Sequence, residues 1–462
     1  MMTSTTLSSL IVIALAVTVS ANDTPHSVYH NNNEFYRKLA NLEVVANMTT
    51  RAHTTLPTVG TQFACTGEPS AEAPTSVHAL RPGDIKVVAG VGDSITAGFG
   101  AKSSSIITIF TEYRGVAWSM GGDDTIESVT TVPNFLKKFN PDVQGWSIKT
   151  GGATSTNARN NLAVSGAIAR DVPDQLDRLI SKLQSDPNID YENDWKMMTI
   201  WIGGNDLCDV CNNKPENQPE QYIAYVRQSL DYLHDVVKVP RLFVNMVQIL
   251  DVSRLNEVSG IVCSIVHFVA CSCATTAGAG AREKVRLAAL EYQRLTAELV
   301  DSGRYDTRDD FTVVLQPFFI DTQVPQKPGG GADTTYFAPD CFHFSQKGQA
   351  AAALGLWNNM MQPEAEKAKS WTLGEEPLCP TEERPYIFTR QNSQVAVSSG
   401  HGMQAEAVGD EGKRSHHHHL KTKVLAISGA CIGAVTIALI VIVAVQKFRK
   451  RTTAPEKTPL VA

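Results

Sequence analysis

From Asp84 to Met361 short apolar runs alternate with stretches whose apolar residues recur at three and four spacing. Candidate buried strands are Ile85 to Val91, one of Trp146 to Lys149 or Asn161 to Val164, Met197 to Ile202, Leu242 to Leu250 and Phe311 to Leu315. Between them Asp174 to Gln184, Gln218 to Val237 and Ala281 to Val300 carry the helical repeat, as in Leu176, Leu179, Ile180 and Leu183. A last helix is expected near Ser345 to Met361. Continuous apolar strands are buried on both faces, and parallel neighbours need crossovers long enough for a helix. The pattern therefore predicts an α/β fold, a parallel sheet of about five strands covered on both faces. With 43% hydrophobic and 19% charged residues the chain can fill such a core, and a wholly disordered chain is excluded.

The ends predict a membrane setting. Residues 1–21 pass through the apolar run Leu10 to Val19 and finish in Val19-Ser20-Ala21, which reads as a signal peptide cleaved after Ala21. Val424 to Val445 has 22 residues without a charge. At about 1.5 Å per residue that crosses about 30 Å of hydrocarbon, so one C-terminal transmembrane helix is expected. Lys447, Arg449, Lys450 and Arg451 follow it and suit the cytoplasmic side. Polar residues after the apolar run disfavour a glycolipid anchor. The chain then divides into a signal peptide (1–21), an N-terminal extension (22–80), a folded body (81–380), a flexible polar stalk (381–423), a transmembrane helix (424–445) and a cytoplasmic tail (446–462). That is a single-pass type I protein of the plasma membrane with its body outside.

Net charge follows the same division. Residues 446–462 hold five basic groups and one acid, +4 of a total of −6, which leaves −10 for the rest. An acidic exterior lacks the basic footprint of a nucleic-acid binder. Cys431 lies in the apolar run, and Cys65, Cys208, Cys211, Cys263, Cys271, Cys273, Cys341 and Cys379 lie outside it. Eight cysteines in an oxidising compartment are disulfide candidates, with on the order of a hundred complete pairings open. The Cys208 to Cys211 spacing has no second pair to complete a zinc site, so no metal is expected. Asn22 and Asn47 each begin a glycosylation sequon.

Four sites carry chemistry. The run Val87 to Gly98 enters a turn with Ser94 at its tip, which exposes a nucleophile at a strand's carboxyl end. In Ala338-Pro339-Asp340-Cys341-Phe342-His343, Asp340 can orient one imidazole nitrogen of His343 while the other faces the serine. Asn161 to Ala167 and Ile200 to Asp206 are apolar runs ending in Gly166 and in Gly203-Gly204-Asn205. The N–H groups of Ser94 and Gly166 and the amide of Asn205 can form an oxyanion hole, in which one donor is typically worth about 10²- to 10³-fold in rate. Asp93 and Asp206 are expected to hold loops.

Ser94, Gly166, Asn205 and His343, in that order, resemble the four marks of the SGNH, or GDSL, hydrolase superfamily. GDSITAGFGA at 92–101, YRGVAWSMGGD at 113–123, NLAVSGAIARDVPDQ at 161–175, WIGGNDLC at 201–208 and DCFHFSQKG at 340–348 are similar to its membrane-associated phospholipase B group. The resemblance implies a three-layer αβα sandwich and a cofactor-free, calcium-independent esterase that releases fatty acids from phospholipids and lysophospholipids. It implies Ser94 as nucleophile, His343 as base, Asp340 as its orienter, and Gly166 and Asn205 as oxyanion donors. The chain departs from the pattern at Ile95, at Phe344, where relatives often have Pro, and at Gln349, where His is frequent. An esterase for acetylated sugars or other small esters, or a silent surface receptor of the same fold, would share these marks.

Overall fold

The apolar runs form a parallel sheet in the computed structural model, which describes residues 59–106, 108–371 and 374–399. Strands β1 (Ile85–Gly92), β2 (Trp195–Trp201), β3 (Leu242–Val247) and β4 (Phe311–Gln316) lie in the order β1-β2-β3-β4. Val91 pairs with Ile200, Ile200 with Met246 and Met246 with Leu315. The fifth strand is present only as a broken edge. Val88 N–H donates to the Gln144 carbonyl at 2.9 Å and Gly90 N–H to that of Asn160 at 3.0 Å. Leu162 N–H then donates to the Gly90 carbonyl at 2.9 Å and Val164 N–H to that of Gly92 at 3.1 Å. Residues 145–159 leave the edge between these two pieces, so no ladder runs long enough to make a regular strand.

This edge precedes β2 in the chain yet lies across β1 from it. The winding direction therefore reverses at β1, and connections that diverge there leave a crevice at the carboxyl ends of the strands.

Nine α-helices are described: α1 (Val132–Leu136), α2 (Val172–Ser185), α3 (Gly204–Asp209), α4 (Pro219–Asp231), α5 (Ile261–Ala270), α6 (Ser272–Thr275), α7 (Ala279–Asp301), α8 (Gln346–Met360) and α9 (Arg390–Ser399). The expected helix Gln218 to Val237 is α4 followed by a π turn, Tyr232–Val236. In α2 the spaced residues Leu176, Leu179 and Leu183 are fully buried, each contributing about 2 kcal/mol through lost apolar exposure. Adjacent residues of a strand point to opposite faces. Asn245 of β3 meets the Met360 sulfur of α8, while Met246 faces the same small void as Val226 and Leu230 of α4. The sheet is thus sandwiched, giving the three layers.

The body is larger than its periodic part. Phe63, in the stretch read as an extension, packs edge-on to Phe135 and Trp357 at 4.9 and 5.5 Å. Residues 381–399, read as the start of the stalk, are docked: Ile387 is fully buried, its N–H donates to the Leu80 carbonyl at 2.8 Å, and Arg390 Nε donates to Asp306 at 2.9 Å. Isolated apolar residues without a period carry this docking. Residues 22–58 of the first segment, with Asn22 and Asn47, and 400–423 of the second lie outside the described residues, as do residues 1–21, the expected membrane span 424–445 and the tail 446–462. Among the described residues no helix is long and apolar enough to cross a membrane.

All eight cysteines of the described residues are paired, as Cys65–Cys379, Cys208–Cys271, Cys211–Cys273 and Cys263–Cys341. The first closes 314 residues and fastens the two docked end segments. By loop entropy the bridges spanning 62 to 78 residues are each worth roughly 4 kcal/mol and the longest nearer about 6. The other three converge on α5 and α6, tying them both to α3 and to the loop that holds Asp340 and His343.

Candidate active site

Ser94 stands two residues beyond β1, on a turn that needs a glycine before it. Gly92 has φ +153°, and a Cβ there would meet the Trp201 carbonyl oxygen at 2.5 Å. Buried Gln175 of α2 clamps this residue: its Oε1 accepts the Gly92 N–H and its Nε2 donates to the Gly92 carbonyl, both at 2.9 Å. Asp93 Oδ1 accepts the Ile95 N–H at 3.0 Å. From α8, Gln349 Nε2 donates to the Ile95 carbonyl at 3.1 Å while its Oε1 accepts the Trp118 N–H at 2.9 Å. The residue found in place of a common His thus braces the nucleophile turn.

The loop before α8 brings the second group to Ser94 across 249 positions of sequence. His343 Nε2 lies 2.8 Å from Ser94 Oγ, and Nδ1 lies 2.6 Å from Asp340 Oδ2. The other Asp340 oxygen accepts the N–H groups of Phe342 and His343 at 3.1 and 3.0 Å. Burial alone would push the fully enclosed Asp340 carboxyl up, but the His343 ring and these donors outweigh it and hold it below the ordinary carboxylate value. An ionised carboxylate fixes the Nδ1–H tautomer, which leaves Nε2 to accept the serine proton. Phe99 and Phe342 flank the imidazole at 4.6 and 4.9 Å between ring centres. The loop is anchored from behind, because His267 Nε2 of α5 donates to the Cys341 carbonyl at 2.8 Å and Cys341 is bridged to Cys263.

The expected oxyanion donors follow β1, β2 and the broken edge beside β1. Among the described residues the N–H groups of Ser94 and Gly166 donate to no other group. Gly166 has φ +84°, the left-handed turn that a glycine takes without strain. Asn205, at the start of α3, donates one amide hydrogen to the Ala167 carbonyl at 2.9 Å and keeps the second. Ser94 and Asn205 line the same cavity, about 760 Å³ including its open mouth.

A buried clamp that the motifs do not announce holds the Gly166 turn. Arg114 is fully buried. Its guanidinium donates to the carbonyls of Gly151, Asn161 and Ala163 and to Glu112, and the other Glu112 oxygen accepts the Ser165 hydroxyl. The only sequence signal was a lone Arg among small and apolar residues in 113–123.

Asp206 follows Asn205, and its two oxygens accept the Ala169 N–H at 3.2 and 3.1 Å. Both expected loop-holding carboxylates lie in that role. Burial pushes Asp206 up to about 8 and Asp93 up to about 6, more than their hydrogen bonds pull them down. A carboxyl raised on folding binds more protons in the native state, so its stabilisation is full below about pH 4 and is lost as pH rises through the folded value. Asp206→Asn keeps an acceptor for Ala169 but cannot ionise. Its unfolding free energy minus that of the wild type is expected to increase from about pH 4 to pH 8, as measured by denaturant melts. A difference flat across that range contradicts the assignment.

The model of the GDSL-like lipase/acylhydrolase family matches residues 88–356, which hold Ser94, Gly166, Asn205, Asp340 and His343. Membrane-associated phospholipase B1 of Rattus norvegicus is 42% identical over 354 residues, 74% of this chain and 24% of the rat protein. The protein of the same name from Homo sapiens is 41% identical over 345 residues, 72% of this chain and 23% of its own length. The chain spans about a quarter of the length of these curated relatives. Among solved structures, an extracellular lipase from Streptomyces rimosus aligns over 59% of this chain and 98% of its own at 18% identity and a TM-score of 0.27. With its family model matched across the sheet, the nucleophile turn and the His343 loop, this chain belongs to the GDSL-like lipase/acylhydrolase family.

Proposed function

We propose that this chain is a serine esterase of the phospholipase B type, which releases fatty acids from phospholipids and lysophospholipids at the outer face of the plasma membrane. The observation that carries it is the line Asp340–His343–Ser94 opening into a cavity with apolar walls. His343 Nε2 takes the Ser94 proton as Oγ attacks the ester carbonyl. The N–H groups of Ser94 and Gly166 and the free amide hydrogen of Asn205 receive the oxyanion. His343 returns the proton to the departing alcohol, leaving an acyl-serine, and the same base then activates the water that frees the fatty acid. The oxyanion donors do the electrostatic work that calcium would otherwise do, so activity is independent of calcium. The relatives' names and the apolar walls favour lipid over acetylated sugar. The sequence of residues 1–21 and 424–445 supports the membrane placement, which keeps an acidic body near lipid.

Purified protein given phosphatidylcholine, lysophosphatidylcholine and a series of esters of rising acyl length is expected to release long-chain fatty acids, with and without a calcium chelator. Turnover confined to acetyl esters, or abolished by the chelator, overturns this reading.

A further inference from the structure

Apolar side chains, among them Ile249, Leu255, Phe342 and Trp371, wall most of the cavity beside Ser94, yet Arg254 also lines it. It is the one basic residue to do so among the described residues. Arg254 stands on the 3-10 turn Val252–Glu257 after β3. Its Nη2 pairs with Glu257 Oε1 at 2.9 Å, and the two side chains are 35% and 36% exposed, so the pair is partly open to solvent. The Nε of the same guanidinium is buried and donates to nothing among the described residues. The other charged groups lining the cavity are already engaged locally, Asp93 with the Ile95 N–H and Asp251 with the Ser253 N–H. Arginine presents its N–H groups as a rigid fork that matches paired phosphate oxygens. Glu257 occupies only part of that fork, and a buried cationic donor without an acceptor calls for one.

We propose that Arg254 receives the phosphodiester of a glycerophospholipid whose ester carbonyl lies at Ser94, and so makes this cavity selective for phospholipid over uncharged acyl esters. The proposal rests on the lipid-esterase reading above. The acyl chain then lies along the apolar walls, the charged headgroup stays at the mouth, and Glu257 competes with the substrate for the guanidinium.

The test compares kcat/KM for lysophosphatidylcholine and for a monoacylglycerol of the same chain length, using the full chain in neutral detergent micelles. Arg254→Gln is expected to lower the phospholipid-to-monoacylglycerol ratio on the order of 10-fold, the loss of a charge-assisted hydrogen bond, chiefly through a higher KM for the phospholipid. Glu257→Gln, which frees Nη2, is expected to raise the ratio by roughly 2- to 3-fold, and it carries the test if Arg254→Gln fails to fold. A ratio for Arg254→Gln within about two-fold of wild type, or one that falls in Glu257→Gln, overturns the phosphate site. A wild-type chain that cleaves no lysophospholipid overturns the lipid-esterase reading instead, so the two failures are distinct.

Discussion

Ser94→Ala is expected to cut fatty-acid release by about 10⁵- to 10⁶-fold, the scale on which a serine hydrolase loses kcat with its nucleophile. The size of the loss follows from the absence of a substitute: once Oγ is gone, no oxygen remains 2.8 Å from His343 Nε2 to attack the carbonyl. Folding should be untouched. The turn is held by Gln175 on Gly92, by Asp93 on Ile95 and by Gln349 on the Ile95 carbonyl, and none of these uses the serine hydroxyl. Unchanged thermal unfolding beside lost turnover is the expected pair of results, and retained turnover would place the nucleophile elsewhere.

Asp340→Asn should cost about 10⁴-fold in kcat with little change in KM, by the wrong-tautomer argument for serine triads. An asparagine can keep its oxygen toward the N–H groups of Phe342 and His343, so the loop retains its shape. Its amide then faces Nδ1 with a donor. His343 must accept there, its proton moves to Nε2, and it can no longer take the proton of Ser94. Because the binding walls are unaltered, single-turnover kinetics should assign the loss to acylation. A variant with near-normal acylation would make Asp340 a loop brace only.

Residues close in sequence or repeated in period were legible. The apolar runs of β1 to β4 and the spacing of Leu176, Leu179 and Leu183 announce themselves because both faces or one stripe must be buried. Ser94, Gly166, Asn205 and His343 are legible because each ends a run with a residue type that the chemistry needs. What was hidden depends on distant partners. Arg114 binds carbonyls 37 to 49 positions away, and nothing near it in the chain shows them. The disulfide pairing was hidden for the same reason, since each cysteine's partner is at least 62 positions away. Of the two runs offered for the strand beside β1, only Asn161 to Val164 lies on that edge; Trp146 to Lys149 falls in the excursion, and the other edge piece, at Gln144, has no apolar run to announce it. Phe63 and Ile387 escaped notice because a single buried residue in a polar stretch has no period.

The central claim is that Ser94 is a nucleophile activated by His343. Its most direct measurement is labelling of the folded protein with a fluorophosphonate probe, followed by mass mapping of the adduct. One phosphonyl group on the peptide containing Ser94, missing in Ser94→Ala and formed far more slowly in His343→Ala, is the predicted result. An adduct on another residue, or none on a folded protein that still cleaves ester, would contradict it.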